Sequence, residues 1–140
     1  MLTGRWTYRS YHDQVALVGN DAQAALALIF GEGVFDLRQS IDGTVAGMLD
    51  MGAGYALRIS GHAAGSGNPV RFDLVGEGID GTPTAGWQYD YRGYPGPRWK
   101  RGVGQFETVL GTVLRAKPHG PNAPAGVTAS FIAVQQPASR

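Results

Sequence analysis

The chain reads as an all-β fold, one domain over residues 1–140, closed as an up-and-down barrel of roughly eight antiparallel strands. Three observations predict this. The 140 residues include 22 glycines and 8 prolines, far above ordinary usage; each glycine inside a helix costs about 1 kcal/mol against alanine, which works against a helical bundle. Short segments rich in aromatic and β-branched residues alternate with Gly, Pro, Asn and Asp punctuation along the whole chain, the pattern of a sandwich or barrel. At 43% hydrophobic residues there is enough apolar material for one core, and too little length for two domains.

In order, the candidate strands are 4–12, 25–30, 34–40, 44–51, 55–62, 70–77, 86–93, 105–116 and 126–135. If Gly31 and Gly33 bend one long strand rather than end it, about eight remain, the usual number for a small closed barrel that holds one ligand. Residues 13–24 carry one helical turn capped by Asn20 or Asp21, since Asn and Asp side chains satisfy first-turn N–H groups. Asp42-Gly43 between two apolar segments is a tight hairpin signal, because both residues tolerate positive φ. Gly65-Ser66-Gly67-Asn68-Pro69 and Asp80-Gly81-Thr82-Pro83 read as connections, 93–104 is too rich in Pro and Gly for a strand interior, and the tail from Gln136 frays. Period-2 alternation places Trp6, Tyr8, Ser10 and His12 on one face of their strand; Tyr55, Leu57 and Ile59 share a face, as do Phe72 and Leu74, and Trp87, Tyr89 and Tyr91.

The opening Leu2-Thr3-Gly4-Arg5-Trp6-Thr7 resembles the first strand of avidin-like barrels, and Gly4-x-Trp6 is similar to the Gly-x-Trp signature of lipocalins. Both are calycin-like barrels of eight strands that hold small ligands in the lumen. The resemblance implies that Trp6 lies inside, at the closed end. It does not extend to biotin: Tyr8 stands where avidins carry a small polar residue, their second-strand Gly-x-Tyr-x-Ser/Thr segment has no counterpart, and 126–135 lacks the arginine of the lipocalin last strand.

Several function classes are disfavoured. A net charge of +1 gives no electrostatic footprint for nucleic acid. The absence of cysteine removes disulfides, thiol catalysis and thiolate-bound zinc. No H-x-H, H-E-x-x-H, P-loop or G-x-S-x-G pattern occurs, so neither metal nor cofactor is expected. The longest apolar run, Ala24 to Phe30, is far short of the roughly 18 residues that span a bilayer, and no secretory signal opens the sequence. The expected compartment is the cytoplasm, without membrane contact.

The residues that would carry chemistry are few. Trp6, Tyr8, Trp87, Tyr89 and Tyr91, with Tyr55, Phe72 and Trp99 from neighbouring segments, would line a ligand cavity, since aromatic rings with polar tips bury area and fix a hydrogen bond; they serve equally as plain core. Ile29-Phe30-Gly31-Glu32-Gly33 is echoed by Leu74-Val75-Gly76-Glu77-Gly78. Glu32 and Glu77 would form an acid/base pair if one were desolvated, and are otherwise solvated glutamates on strands whose glycines admit a close backbone. His12, on the Trp6/Tyr8 face, is a candidate general base, with Tyr91 as hydrogen-bond donor to a substrate oxygen. His62 two residues from Ser60 is a faint echo of a nucleophile–base pair, and His119 falls in a loop. The basic run Arg92, Arg98, Lys100 and Arg101, interleaved with Tyr94 and Trp99, suits a lid over the mouth or a subunit contact in a homo-oligomer. The ligand is expected to enter where His12, Tyr91 and the 93–104 loop meet. The leading function is a barrel that binds an apolar or aromatic small molecule in its lumen. The rivals are a cofactor-independent isomerase, cyclase or lyase using His12, Tyr91, Glu32 or Glu77 in the same pocket, and an interaction module that presents the 93–104 loop.

Overall fold

Eight antiparallel strands close on themselves in sequence order, each paired with its neighbours and the first with the last. The computed structural model describes residues 1–64 and 67–138. The strands are β1 (Gly4–His12), β2 (Ile29–Gln39), β3 (Thr44–Asp50), β4 (Ala56–Ala64), β5 (Arg71–Gly78), β6 (Gln88–Pro95), β7 (Thr108–Lys117) and β8 (Thr128–Gln135), with one short helix, α1 (Ala22–Ala27). The all-β barrel read from the sequence is the fold, and it is consistent with a calycin-like architecture.

Local chemistry explains most boundaries. Asp21 caps α1 by accepting the Ala24 N–H at 3.0 Å, and the alanine-rich Ala22–Ala27 turn that follows is good helix-forming sequence. The strand expected over 25–30 therefore starts only at Ile29, and β2 runs unbroken through Gly31 and Gly33 to Gln39. Gly43, at φ 90°, makes the β2–β3 hairpin, which is tied by Ser40 N–H to Thr44 O at 2.8 Å and by Thr44 N–H to the Asp42 carboxylate at 3.0 Å. In the 65–69 connection, Gly65 and Ser66 lie outside the described residues. The segment 93–95, expected to begin a loop, instead completes β6 against Val109, Leu110 and Gly111.

The alternation predicted from sequence holds at the waist of the barrel. Tyr8, Leu57, Ile59, Phe72, Leu74, Tyr89 and Tyr91 are buried. Glycines appear where backbone comes too close for a Cβ: at Gly33 one would sit 2.5 Å from the Asp50 carbonyl oxygen, and at Gly78 it would run into the Thr84 carbonyl. That is the physical content of the repeated Gly-Glu-Gly phrase. The glutamates between these glycines point outward. Glu32 takes Arg9 Nε at 2.8 Å, and Glu77 is exposed opposite Arg58.

Strand parity fixes the two ends. β1 runs from Trp6 to His12, so each even-numbered strand runs back toward Trp6. The 40–43, 67–70 and 96–107 connections gather at the Trp6 end, while 13–28, 51–55, 79–87 and 118–127 gather at the His12 end. The Pro/Gly-rich basic loop thus lies at the opposite end from His12. There Arg98 pairs with Glu107 at 2.7 Å, and Trp99 and Gln105 exchange two hydrogen bonds of 2.6 and 2.9 Å. The ligand route expected through His12, Tyr91 and this loop is not what the chain builds. No described helix is long and apolar enough to cross a membrane.

Candidate functional site

Four rings cross the waist of the barrel. Tyr8 meets Phe35, Tyr91 and Phe131 at centroid distances of 5.0, 5.9 and 5.7 Å, and Tyr91 meets Phe35 and Phe131 at 5.7 and 5.9 Å. Most of these contacts are edge-to-face, the arrangement favoured by ring quadrupoles. Beneath this plate the Trp6 end is filled: Leu2, Trp6, Leu37, Phe72 and Val109 surround a residual void of only about 20 Å³. Trp6 Nε1–H donates to Leu2 O at 2.8 Å, so the indole is buried with its polar atom satisfied. This is the closed end that the Gly-x-Trp resemblance implies.

Above the plate the lumen opens into a cavity of about 310 Å³ at the His12 end. Tyr8 and Tyr91 form its floor, Leu57, Met51 and Phe30 its apolar wall, and Tyr55, Trp87, Tyr89, Arg115 and His119 its polar-aromatic side. One bulge and one regular strand register deliver residues to it. The β1–β2 register skips Phe30, between Ser10↔Gly31 and Tyr11↔Ile29; a bulge of this kind re-aims a side chain. The β6–β7 register is unbroken from Pro95↔Val109 to Tyr89↔Arg115, which puts Arg115 opposite Tyr89 on the inward face.

The polar side is a connected set. Trp87 and His119 stack at 3.8 Å with planes 15° apart. His119 Nε2 is 2.5 Å from the Tyr89 hydroxyl, which also accepts from Arg115 Nε at 2.9 Å. The guanidinium lies 5.0 Å from the Phe30 centroid and donates through Nη1 to Pro124 O at 3.3 Å. Arg115 Nε–H only donates, which leaves the Tyr89 hydrogen free to point at His119 Nε2; in that arrangement the imidazole is neutral with its proton on Nδ1. Burial and the nearby Arg115 charge both pull the His119 pKa below its ordinary 6.5, which favours the neutral ring. Burial likewise pushes the Tyr91 and Tyr8 hydroxyls upward, helped at Tyr91 by the neighbouring tyrosines and outweighing at Tyr8 the hydrogen bonds with Ser10 and Tyr91, so the cavity floor carries no charge.

The sign of the resulting pH effect follows. The unfolded chain binds the His119 proton at a higher pH than the folded one, so stability is full above about pH 6.5 and falls as pH drops through the window below it. We expect the His119 ring to titrate below 6.5 by NMR. The parent should also lose melting temperature relative to His119→Gln between about pH 7.5 and about pH 5; parallel curves would remove this role.

The sequence-predicted residues divide by position. Tyr8, Tyr55, Trp87, Tyr89 and Tyr91 line the cavity. Trp6 and Phe72 lie below the plate, and Trp99 is 75% exposed at the other end. Glu32 borders the mouth with its carboxylate on Arg9, Glu77 faces outward, and His12 is at the rim, its ring edge-on to Phe30 at 5.1 Å. His62 and Ser60 are exposed on the outer face of β4. Sequence reasoning missed Arg115, His119, Phe30 and Met51 as lining residues. Among the described residues no cluster of three His, Asp or Glu suits a metal. The chain matches no protein-family model, no curated protein and no solved structure.

Proposed function

We propose that the protein binds a small apolar or aromatic molecule in the upper lumen. The observation that carries this reading is the asymmetry of the barrel interior: about 310 Å³ of aromatic-lined space above the Tyr8/Tyr91 plate, against about 20 Å³ below it. A barrel that needed only a core would fill both halves, because each unfilled methyl-sized void costs about 1 kcal/mol. The open half is within the size range of ligand cavities, and its hydrogen-bonding groups converge on one wall.

The three tryptophans make the test self-locating. Trp87 is in the cavity wall, Trp6 under the plate and Trp99 outside. On titration with 2-naphthamide, a neutral planar probe, the Trp87 indole N–H resonance of ¹⁵N-labelled protein should move saturably while those of Trp6 and Trp99 stay in place. Trp87→Ala should weaken the probe about tenfold by loss of the stacking face. A Trp87 resonance that does not move, or an affinity unchanged in the variant, would count against the lumen as the site.

A further inference from the structure

We infer that the occupant of the upper cavity is an aromatic carboxylate, with its ring system beside Trp87 and its anionic end on the guanidinium of Arg115. This rests on the lumen being the binding site.

The argument begins with an uncompensated charge. Arg115 lines the cavity, and among the described residues no carboxylate comes within ion-pair distance of it; the four ion pairs found there belong to Arg9, Arg71, Arg92 and Arg98. The one acid bordering the cavity, Glu32, is spent on Arg9. A guanidinium has five N–H groups and no acceptor. Arg115 commits Nε to Tyr89 and Nη1 to Pro124, and its remaining N–H groups have no partner among the described residues. Arg115 is half-buried at the cavity wall, and the protein supplies hydrogen bonds that aim the group without supplying an anion to meet its charge.

The surroundings narrow the chemistry. Tyr89, Pro124 and the Phe30 face hold the guanidinium in place, so its fork is set before ligand arrives, and a planar carboxylate is the shape that a fork grips bidentately. A phosphate monoester would bring a charge near −2 to a lining that holds one full cation, with His119 neutral. The body of the ligand is specified by the flat Trp87/His119 stack and by Tyr55, whose ring lies 5.8 Å from Trp87. The cavity, near the lower end of ligand-site volumes, suits one or two fused rings.

The test compares 2-naphthoate with 2-naphthamide, equal in shape and different in charge, by calorimetry and by the Trp87 indole shift. The parent should prefer the carboxylate about 10- to 100-fold, the range of a charge-assisted hydrogen bond. Arg115→Gln should bring the two probes to parity by weakening only the carboxylate. Arg115→Lys should keep part of the preference, having the charge without the fork. If the glutamine variant does not fold, the parent preference and the lysine variant decide. Equal affinities in the parent, or a preference that persists in a folded Arg115→Gln, would overturn the carboxylate while leaving the lumen as the site. If neither probe moves the Trp87 resonance, the lumen reading falls and this inference falls with it.

Discussion

Trp6→Ala will remove about 3–5 kcal/mol of folding stability, a large part of what a domain of this size has. Trp6 is 3% exposed, its ring borders the filled end of the barrel with Leu37, Phe72 and Val109, and its indole N–H is the partner of Leu2 O. Truncation opens a large void where the wild type has about 20 Å³ free and orphans the Leu2 carbonyl. The strands around it are hydrogen-bonded into a closed ring, so they have little freedom to collapse inward. Urea unfolding should show the midpoint falling sharply, and a melting temperature within about two degrees of the parent would show that Trp6 is not core. Because the damage lies under the plate, a folded Trp6→Ala population should still bind 2-naphthamide.

Gly78→Ala is expected to be comparably severe, about 3 kcal/mol or more, at the upper end of overpacking costs. Its Cβ would be driven into the Thr84 backbone carbonyl and would crowd the Trp87 backbone nitrogen. That carbonyl is held in place, because Trp87 N–H donates to Thr84 O at 2.9 Å, Gly78 N–H donates to Trp87 O at 2.9 Å, and the buried Thr84 hydroxyl donates to Ala56 O at 2.7 Å. The 79–87 turn is thus laced to the end of β5, and the same lacing sets where Trp87 stands. Gly78→Ala should therefore both unfold more easily and weaken the probe, separating it from Trp6→Ala. Wild-type stability in the alanine variant would show that the turn can move away.

The comparison of these two sites shows what the sequence carries. Strand period alone puts Tyr8, Tyr89 and Tyr91 inside, because the closed sheet enforces alternation over their whole run. The same rule, extended from Val113 by two residues along β7, puts Arg115 inside as well. The placement of the 93–104 loop was also within reach. Once Gly31 and Gly33 lie within one strand, 86–93 belongs to the sixth strand, and a connection leaving an even-numbered strand returns to the Trp6 end. Phe30 and His119 had no periodic signal. Phe30 is re-aimed by a bulge, which reverses the inside–outside order locally, and His119 comes from a loop whose path depends on contacts with Trp87 and Tyr89. The close approach at Gly78 depends on how the 79–87 turn folds back on the end of β5, so glycine marks the place without naming the neighbour.

The four-ring plate also acts as a ruler. Tyr8 is in it and His12 is at the rim, four residues apart on β1. At about 3.3 Å per residue, reduced by the tilt of barrel strands, that is a depth of about 10 Å from floor to opening. A molecule held in the lumen is measured against this depth before any hydrogen bond is counted. A long acyl chain would have to leave its far end in water, or displace five mutually packed ring contacts to reach the lower half. Selection by length is thus built into the waist of the barrel, separately from the chemistry at the mouth. Shaving one plate ring, as in Phe131→Ala, would lengthen the accepted ligand before it altered which headgroup is preferred.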